Sequence, residues 1–382
     1  MTKANNMKLY IINNVRMPTE KAHGFQIAKM CESFALQGEI VELIIPRRDN
    51  FIKEDIFDYY NVEKNFEIKH LDSFDFFKLE KFIGSKLAFY LQSLAFKFKV
   101  GKLKVESNGV VMTRNPEIVR VLKKKKIKVF YDAHRWPETK RQIFKHMLKN
   151  VDGVICNSIG TAQAFKGNGF VNILVAPNGV DLKEYKKDVD KTEIKNKYKL
   201  PLDKKILMYV GHLYDWKGVD TVMEAAKEVE NKDLVFVFVG GTKKDIENYK
   251  SISKENNLEN VIFLGHVKKT EIAFLQKTAD VLLLPNKPIN RESEKYTSPI
   301  KMFEYMASGV VVLASNLSSI REVLNKKNAI LFQADNLKDF LDKINIIFSN
   351  NEKAKELSKQ ALIDVRKYSW EERAKKIINF VN

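Results

Sequence analysis

Two cysteines in 382 residues leave no material for a disulfide-stapled scaffold. Cys31 and Cys156 stand far apart in apolar contexts and read as buried thiols of a reducing compartment. No apolar run approaches the roughly 18–20 residues that a membrane-spanning helix requires. The opening MTKANNMKLYIINNV lacks the long apolar stretch and small-residue cleavage site of a signal peptide, so a cytoplasmic protein is expected. Nucleotide fingerprints are missing too. No G-x-G-x-x-G follows the first strand of either half, which removes support for a dinucleotide-dependent dehydrogenase, and no G-x-x-x-x-G-K-[ST] exists for a P-loop hydrolase. The six histidines (His23, His70, His134, His146, His212, His266) show no H-E-x-x-H spacing and there is no C-x-x-C, so no metal and no cofactor are expected. The one D-x-D, Asp188-Val-Asp190, falls in a charged stretch and reads as solvated loop. No 20–50-residue repeat is visible.

What is present points to two α/β units. The length exceeds one typical core and suits two domains, and 45% hydrophobic with 30% charged residues is a globular composition. KLYIINN (Lys8–Asn14) reads as a buried strand, Phe25–Gln37 as a helix stopping at Gly38, and Ile40–Ile45 as a second strand. Further apolar runs follow at 109–113, 129–132 and 153–156. Strands alternating with helical patterns predict a parallel, doubly wound sheet. The rhythm restarts with runs at 206–210, 235–239, 261–264, 281–284, 310–314 and 329–332. Residues 1–180 are therefore a first Rossmann-like domain, 181–201 a charge-rich linker and 202–368 a second such domain. The last segment, about 369–382, is an amphipathic helix opened by a Ser369/Glu372 capping box. Open parallel sheets take ligands at the carboxyl ends of their strands, so a cleft between two of them is the expected site.

The net charge of +18 is uneven. Residues 1–180 hold 30 lysines and arginines against 18 acidic residues, and the rest hold 36 against 30. A basic first half suggests an anionic partner, although a lysine-rich composition alone accounts for it equally. Phe74–Lys104 alternates large apolar residues with lysines. It reads either as an interfacial helix for an anionic membrane or as a core helix with solvated lysines.

Strand ends in the second half carry a recurring grammar. VGHLYDWKGVD places Gly211 and His212 after a strand and Lys217-Gly218 before a helix; amide donors, a helix dipole and a lysine charge could cradle a diphosphate, as could an ordinary loop with a solvent lysine. FVGGTKKD (with Gly241) and FLGHV (with His266 and Val267) repeat the pattern. In YTSPIKMFEYMASG, Ser298 is positioned to cap a helix starting at Pro299. Ile300, Phe303 and Ala307 face a core, while Lys301, Glu304 and Ser308 form a polar stripe beside them. In the first half the strand VFYDAH ends on His134, which reads as either structural or cleft-facing.

YVGHLYDWKGVD together with SPIKMFEYMASGVVVLASNLSSIREVL resembles the C-terminal domain of glycosyltransferase family 4, retaining enzymes with the GT-B fold of two Rossmann-like domains facing each other across a cleft. VAPNGVDLKEY resembles that family's interdomain segment, and the first 40 residues its N-terminal glycine loop and helix. The resemblance implies a nucleotide-diphosphate-sugar donor, a UDP- or GDP-sugar being expected, and a glycan, lipid-linked or other hydroxyl acceptor. It assigns Glu304 to the ribose hydroxyls, Lys217 to the diphosphate, Thr297 and Ser298 to the helix N-terminus capping it, Gly24 to the N-terminal loop near the phosphates, and His134 to the reaction centre. Two departures stand out. Tyr296 occupies the place of the first glutamate of the family's E-x7-E pair, with Glu292 or Glu294 as substitutes from the preceding loop. His212 stands where the family often has arginine, a weaker phosphate clamp. A nucleotide-sugar epimerase or phosphorylase of the same fold, and a basic nucleic-acid-binding protein, are the alternatives; the chain shows no nucleic-acid module, so no nucleic-acid partner is expected. A membrane-bound acceptor would put the protein on the inner face of a membrane.

Overall fold

A computed structural model describes residues 7–382, leaving outside it the six residues on which part of the leader reading rests. The chain divides into two compact units. The first comprises the described residues through Asn157, Thr161–Pro177 and Trp370–Asn382; the second comprises Ser158–Gly160 and Asn178–Ser369. Among the described residues no helix is long and apolar enough to cross a membrane.

The first unit is a seven-stranded sheet built from β1 (Lys8–Ile12), β2 (Ile40–Pro46), β3 (Glu67–Leu71), β4 (Val110–Thr113), β5 (Lys128–Ala133), β6 (Gly153–Cys156) and β7 (Ile173–Val175), in the order β3-β2-β1-β4-β5-β6-β7. Every pairing is parallel. The inner strands are continuous apolar runs because helices cover both faces. The two strands that the sequence pattern did not predict, β3 and β7, are the edges. EIKHL alternates charged with apolar residues, and ILV is only three residues long and half-buried. The strand order reverses between β1 and β4. There the Asn13 carboxamide accepts the Arg114 amide at 3.0 Å, and Asn115 accepts the Asn14 amide at 2.7 Å, bonding the two strand ends together.

Helix α1 (Ala22–Leu36) follows β1 and stops before Gly38, whose φ of 93° suits a glycine. Helix α2 (Ser85–Lys102) packs on α3 (Pro116–Lys124) and buries Ala88, Gln92, Phe96 and Val100, one stripe at i, i+4 spacing. The core-helix reading of Phe74–Lys104 holds for one stripe of α2, whose lysines face water, as do many of its aromatics. The C-terminal helix Trp370–Val381 belongs to this unit. It buries Trp370, Ala374, Ile377, Ile378 and Val381, with Trp370 edge-on to Phe25 at 6.2 Å.

Arg373 ties that helix to the sheet. Its guanidinium is buried and donates to Asp132 at the end of β5 at 3.1 Å, while Arg114 Nε donates to the other carboxylate oxygen at 2.7 Å. Both cysteines are buried and free, and burial pushes the Cys156 thiol up to about 12.

The second unit is a six-stranded parallel sheet of β8 (Lys205–Val210), β9 (Leu234–Val239), β10 (Val261–Gly265), β11 (Val281–Leu284), β12 (Val311–Ser315) and β13 (Ile330–Phe332), in the order β10-β9-β8-β11-β12-β13. All six apolar runs are strands, and the reversal falls between β8 and β11. Residues 181–201, read from composition as a linker, are instead part of this unit. Tyr185 and Leu200 are buried, the Tyr185 hydroxyl donates to Gln276 at 2.7 Å, and Lys191–Lys197 is a helix capped by Asp190. The charges that suggested a linker lie on its wet side, while a few apolar residues anchor it.

Asp132 gives the fold a measurable signature. Burial opposes its ionisation, but Arg114, His134 and Arg373 outweigh burial and hold the carboxyl well below the usual range. Asp132→Asn is expected to lower the unfolding free energy by about 3 kcal/mol or more at pH 7, because two guanidinium groups lose their counter-charge. A depressed carboxylate contributes stability above its unfolded pKa of about 3.9, and that contribution disappears as pH falls through the lower folded value. Urea titrations should therefore show the full gap above about pH 4 and a closing gap below it; equal stabilities at pH 7 would refute the assignment.

Candidate functional site

In the second unit, chain direction and strand order bring the glycine turns to the carboxyl edge at the β8/β11 reversal. After β8, Gly211 has φ 138° and lies against the side chain of Lys301; an added Cβ would stand 2.9 Å from the ammonium nitrogen. His212 follows, stacked on Tyr214 at 5.0 Å, its carbonyl accepting the Tyr209 hydroxyl at 2.5 Å. A single 3₁₀ turn, Asp215–Lys217, then carries the lysine. It is held across the reversal by the Lys287 amide, which donates to the Trp216 carbonyl at 3.0 Å. Gly218 closes the turn at φ 71°, pressed against the Pro285 carbonyl where a Cβ has no room, and α4 (Val219–Glu228) begins.

This places Lys217 half-buried with its ammonium 3.5 Å over the Trp216 ring. Burial, opposed by Glu292, pulls its pKa down to about 7. Of the two substitute carboxylates expected from the loop, Glu292 is therefore the one whose charge reaches this lysine. Gly241 turns the chain after β9 against Leu213, and His266 is exposed after β10, with Val267 half-buried beside it.

The stretch YTSPIKMFEYMASG behaves differently at its start than predicted. Helix α6 runs Ile300–Ser308 with Pro299 in the cap position, so Ser298 does not cap it. Pro299 has an extended backbone, and the Ser298 hydroxyl is taken by the Asn178 amide at 3.1 Å; the Asn178 carboxamide donates to the Ser298 carbonyl at 2.6 Å. Tyr296 is buried at the end of the turn Glu292–Tyr296, and Thr297 is half-buried between them. The helix itself is core on most sides. Tyr305 is wholly buried, and its hydroxyl accepts the Val210 amide at 2.9 Å, which fixes α6 against the last residue of β8.

Glu304 is buried and its carboxylate forms an ion pair with Lys269, at the start of α5 (Lys269–Lys277). One turn earlier, Lys301 sends its ammonium over the Tyr209 ring at 3.7 Å, where that nitrogen has no hydrogen-bond partner. Burial first, and the ammonium of Lys217 second, push Lys301 well below the usual lysine range, with Glu304 opposing. Sequence reading placed Lys301 on the polar stripe without giving it a task; only the packing of α6 on β8 reveals that it shares the edge with Lys217. Asn286, just after β11, is a second group at this edge that the sequence did not signal. It is fully buried with both carboxamide atoms unsatisfied.

In the first unit, His134 follows β5 with Nε2 3.4 Å from the same Asp132 oxygen that accepts from Arg114. Burial and then the Arg114 charge lower the His134 pKa, so the ring is neutral near pH 7. His23 is lowered to about 4, by burial first and then by Arg114. Gly24 sits beside it at the start of α1, where the Tyr60 hydroxyl and Thr19 fill the space a side chain would need. The D-A-H sequence announces Asp132 beside His134; nothing local announces Arg373, which comes from the far end of the chain. A separate concavity of about 750 Å³ lies at the amino ends of β6 and β7, by His146, Asp152 and Asn172, and shares no residue with this cluster.

The model of the family described as "Glycosyl transferases group 1" matches residues 190–363, most of the second unit. A relative from Methanocaldococcus jannaschii, named as an uncharacterized glycosyltransferase, is 26% identical over 348 residues, 87% of this chain and 90% of that protein. Among solved structures, HepE of Anabaena in complex with UDP superimposes with a TM-score of 0.73 at 14% identity, covering 98% of this chain and 99% of that one. Sucrose-phosphate synthase of Thermosynechococcus elongatus gives 0.73 at 17%, covering 98% of each chain. The fold likeness spans both units, and the family match lies on the one that carries the paired lysines. The chain is a glycosyltransferase of the GT-B fold.

Proposed function

We propose that this glycosyltransferase moves a sugar from a nucleotide-diphosphate sugar to a hydroxyl of a glycan or lipid-linked acceptor, with retention of anomeric configuration, as the resemblance to family 4 implies, and without a metal ion, because lysine and amide donors supply the charge stabilisation. The observation that carries the proposal is the crowding of Lys217 and Lys301 at the β8/β11 reversal. Two ammoniums share one edge, each depressed in part by burial, and the one buried carboxylate beside them, Glu304, already faces Lys269. Such an arrangement favours a diphosphate ligand, and the UDP in the HepE structure is a ligand of that chemistry bound on this fold.

The chemistry follows from charge development. Breaking the anomeric C–O bond leaves an oxocarbenium-like sugar and a nucleoside diphosphate with new negative charge. Fixed lysine charges stabilise that leaving group by preorganised electrostatics, which is the role otherwise open to a divalent cation. Lys217 completes its protonation as the diphosphate arrives, since a nearby anion raises an ammonium pKa. Glu304 serves the ribose diol, as a carboxylate accepting two hydroxyl donors. Gly211, His212, Gly241, His266, Val267, Thr297 and Ser298 line the donor as backbone or side-chain contacts, and Gly24 takes the role near the phosphates that the resemblance gives it. His134, kept neutral by burial and by the Arg114 charge and oriented by Asp132, takes the reaction-centre role at the transferred sugar. With Tyr296 in place of a glutamate, Glu292 or Glu294 contacts that sugar's hydroxyls, Glu292 being favoured because its charge reaches Lys217.

Three measurements test this. With UDP- and GDP-sugars, EDTA should leave turnover unchanged, and proton NMR of the first-formed product should show the donor's anomeric configuration; inversion, or loss of activity restored by a divalent cation, would overturn the corresponding claim. Lys217→Ala and Glu304→Ala should each lower donor turnover by at least ~10-fold, the scale of one lost charge-assisted contact. His134→Ala should lose transfer while keeping nucleotide affinity. Wild-type turnover in all three variants would remove the site.

A further inference from the structure

Helix α2 is apolar on two opposite sides, and only one is covered. At roughly 100° per residue, the stripe Ala88, Gln92, Phe96 and Val100 is buried, while Leu87, Tyr90, Leu94 and Phe98 point the other way and are exposed. Phe98 is 62% exposed, and Phe82 on the preceding turn is 87% exposed; Phe89, also 62% exposed, lies at the angle of the covered stripe and is not part of this face. Isolated surface apolar residues are ordinary, but a contiguous run of this size is not. The rim is cationic. Lys86 and Lys97 border the stripe on one side and Lys102 on the other, with the Lys102 ammonium 4.3 Å from the Phe98 ring. Across Phe74–Lys104 there are seven lysines and only two acidic residues, Asp75 and Glu80.

We propose that this face of the first unit docks on an anionic lipid bilayer, with α2 lying in the interfacial plane. Leu87, Tyr90, Leu94 and Phe98 would enter the boundary between headgroups and acyl chains, and Lys86, Lys97 and Lys102 would meet the phosphate headgroups. An aromatic and leucine stripe between lysines is the composition of an interfacial helix. The lysines decide between surface and span, because a helix carrying four of them in 18 residues lies on a bilayer rather than across it. They also decide for lipid over an apolar protein partner: the charge complement of this face is a continuous anionic plane. The inference stands apart from the transfer reaction, since none of these residues belongs to the proposed donor site.

The test is flotation of the full chain with vesicles of phosphatidylcholine alone and of phosphatidylcholine with phosphatidylglycerol. Binding is expected only to the anionic vesicles and should fall as salt rises. The triple variant Leu87→Ser, Leu94→Ser, Phe98→Ser and the triple variant Lys86→Gln, Lys97→Gln, Lys102→Gln should each reduce partitioning at least ~10-fold, both apolar burial and headgroup charge being required for stable anchoring. UDP affinity should be unchanged in both variants. Should the serine variant fold poorly, Leu94→Cys with a polarity-sensitive label serves instead, both native cysteines being buried; its emission should shift to the blue on anionic vesicles. No binding to anionic vesicles, wild-type binding by the serine variant, or a dimer in solution that the serine variant abolishes while vesicles leave the chain unbound would overturn the proposal.

Discussion

The Tyr305 hydroxyl accepts the Val210 amide inside the core of the second unit, and this bond sets the register between helix α6 and strand β8. Both partners are fully enclosed or nearly so, which leaves the Val210 amide few other ways to satisfy its hydrogen bond. With Tyr305 pinned, Lys301 lies one turn nearer the helix N-terminus and reaches over Tyr209 toward Gly211, while Glu304 turns to Lys269. The charged stripe in an otherwise apolar helix is therefore placed by an apolar seam. Gly211 and Gly218 complete the arrangement from the other chain segment by leaving space where side chains would collide with Lys301 and with Pro285.

The first unit solves a related problem with opposite sign. A carboxylate, Asp132, is the buried centre, and three cationic or titratable groups converge on it: Arg114 from the end of β4, Arg373 from the C-terminal helix, and His134 two residues along. The same carboxylate that secures the C-terminal helix to the sheet also orients His134 and keeps Arg114 in place against Gln26. Fold stability and the chemistry assigned to His134 are thus linked through one residue.

Most of the architecture was legible because a strand covered on both faces has to be a short apolar run. All six strands of the second unit and five of the first announce themselves in that way. The two edge strands did not, because EIKHL has one wet side and ILV is too short to stand out. The linker reading failed for a related reason: composition averages over Val180–Pro201, whereas Tyr185 and Leu200 alone suffice to dock that segment. At the site, residues next to a strand-end glycine were visible, among them Lys217 and His212. Those whose importance depends on distant packing were not. Lys301 looks like any solvated lysine until α6 is laid on β8, and Arg373 is separated from Asp132 by most of the chain. Ser298 followed by Pro299 looks like a cap and is not one, because Asn178 claims the hydroxyl.

Two ammoniums sharing one edge of a sheet, with pKa values pushed down until an anion arrives, make a binding site whose occupancy is coupled to protons. Calorimetry of UDP binding at pH 8 in buffers of different ionisation enthalpy measures that coupling directly. UDP is fully ionised there, its last phosphate proton leaving near pH 6, so exchanged protons belong to the protein. With Lys217 depressed to about 7, binding should take up protons at pH 8, affinity should weaken as pH rises further, and Lys301→Met should bind more weakly. Binding with no proton exchange, and with the same affinity in Lys301→Met as in the wild type, would contradict an anion site built on these two lysines.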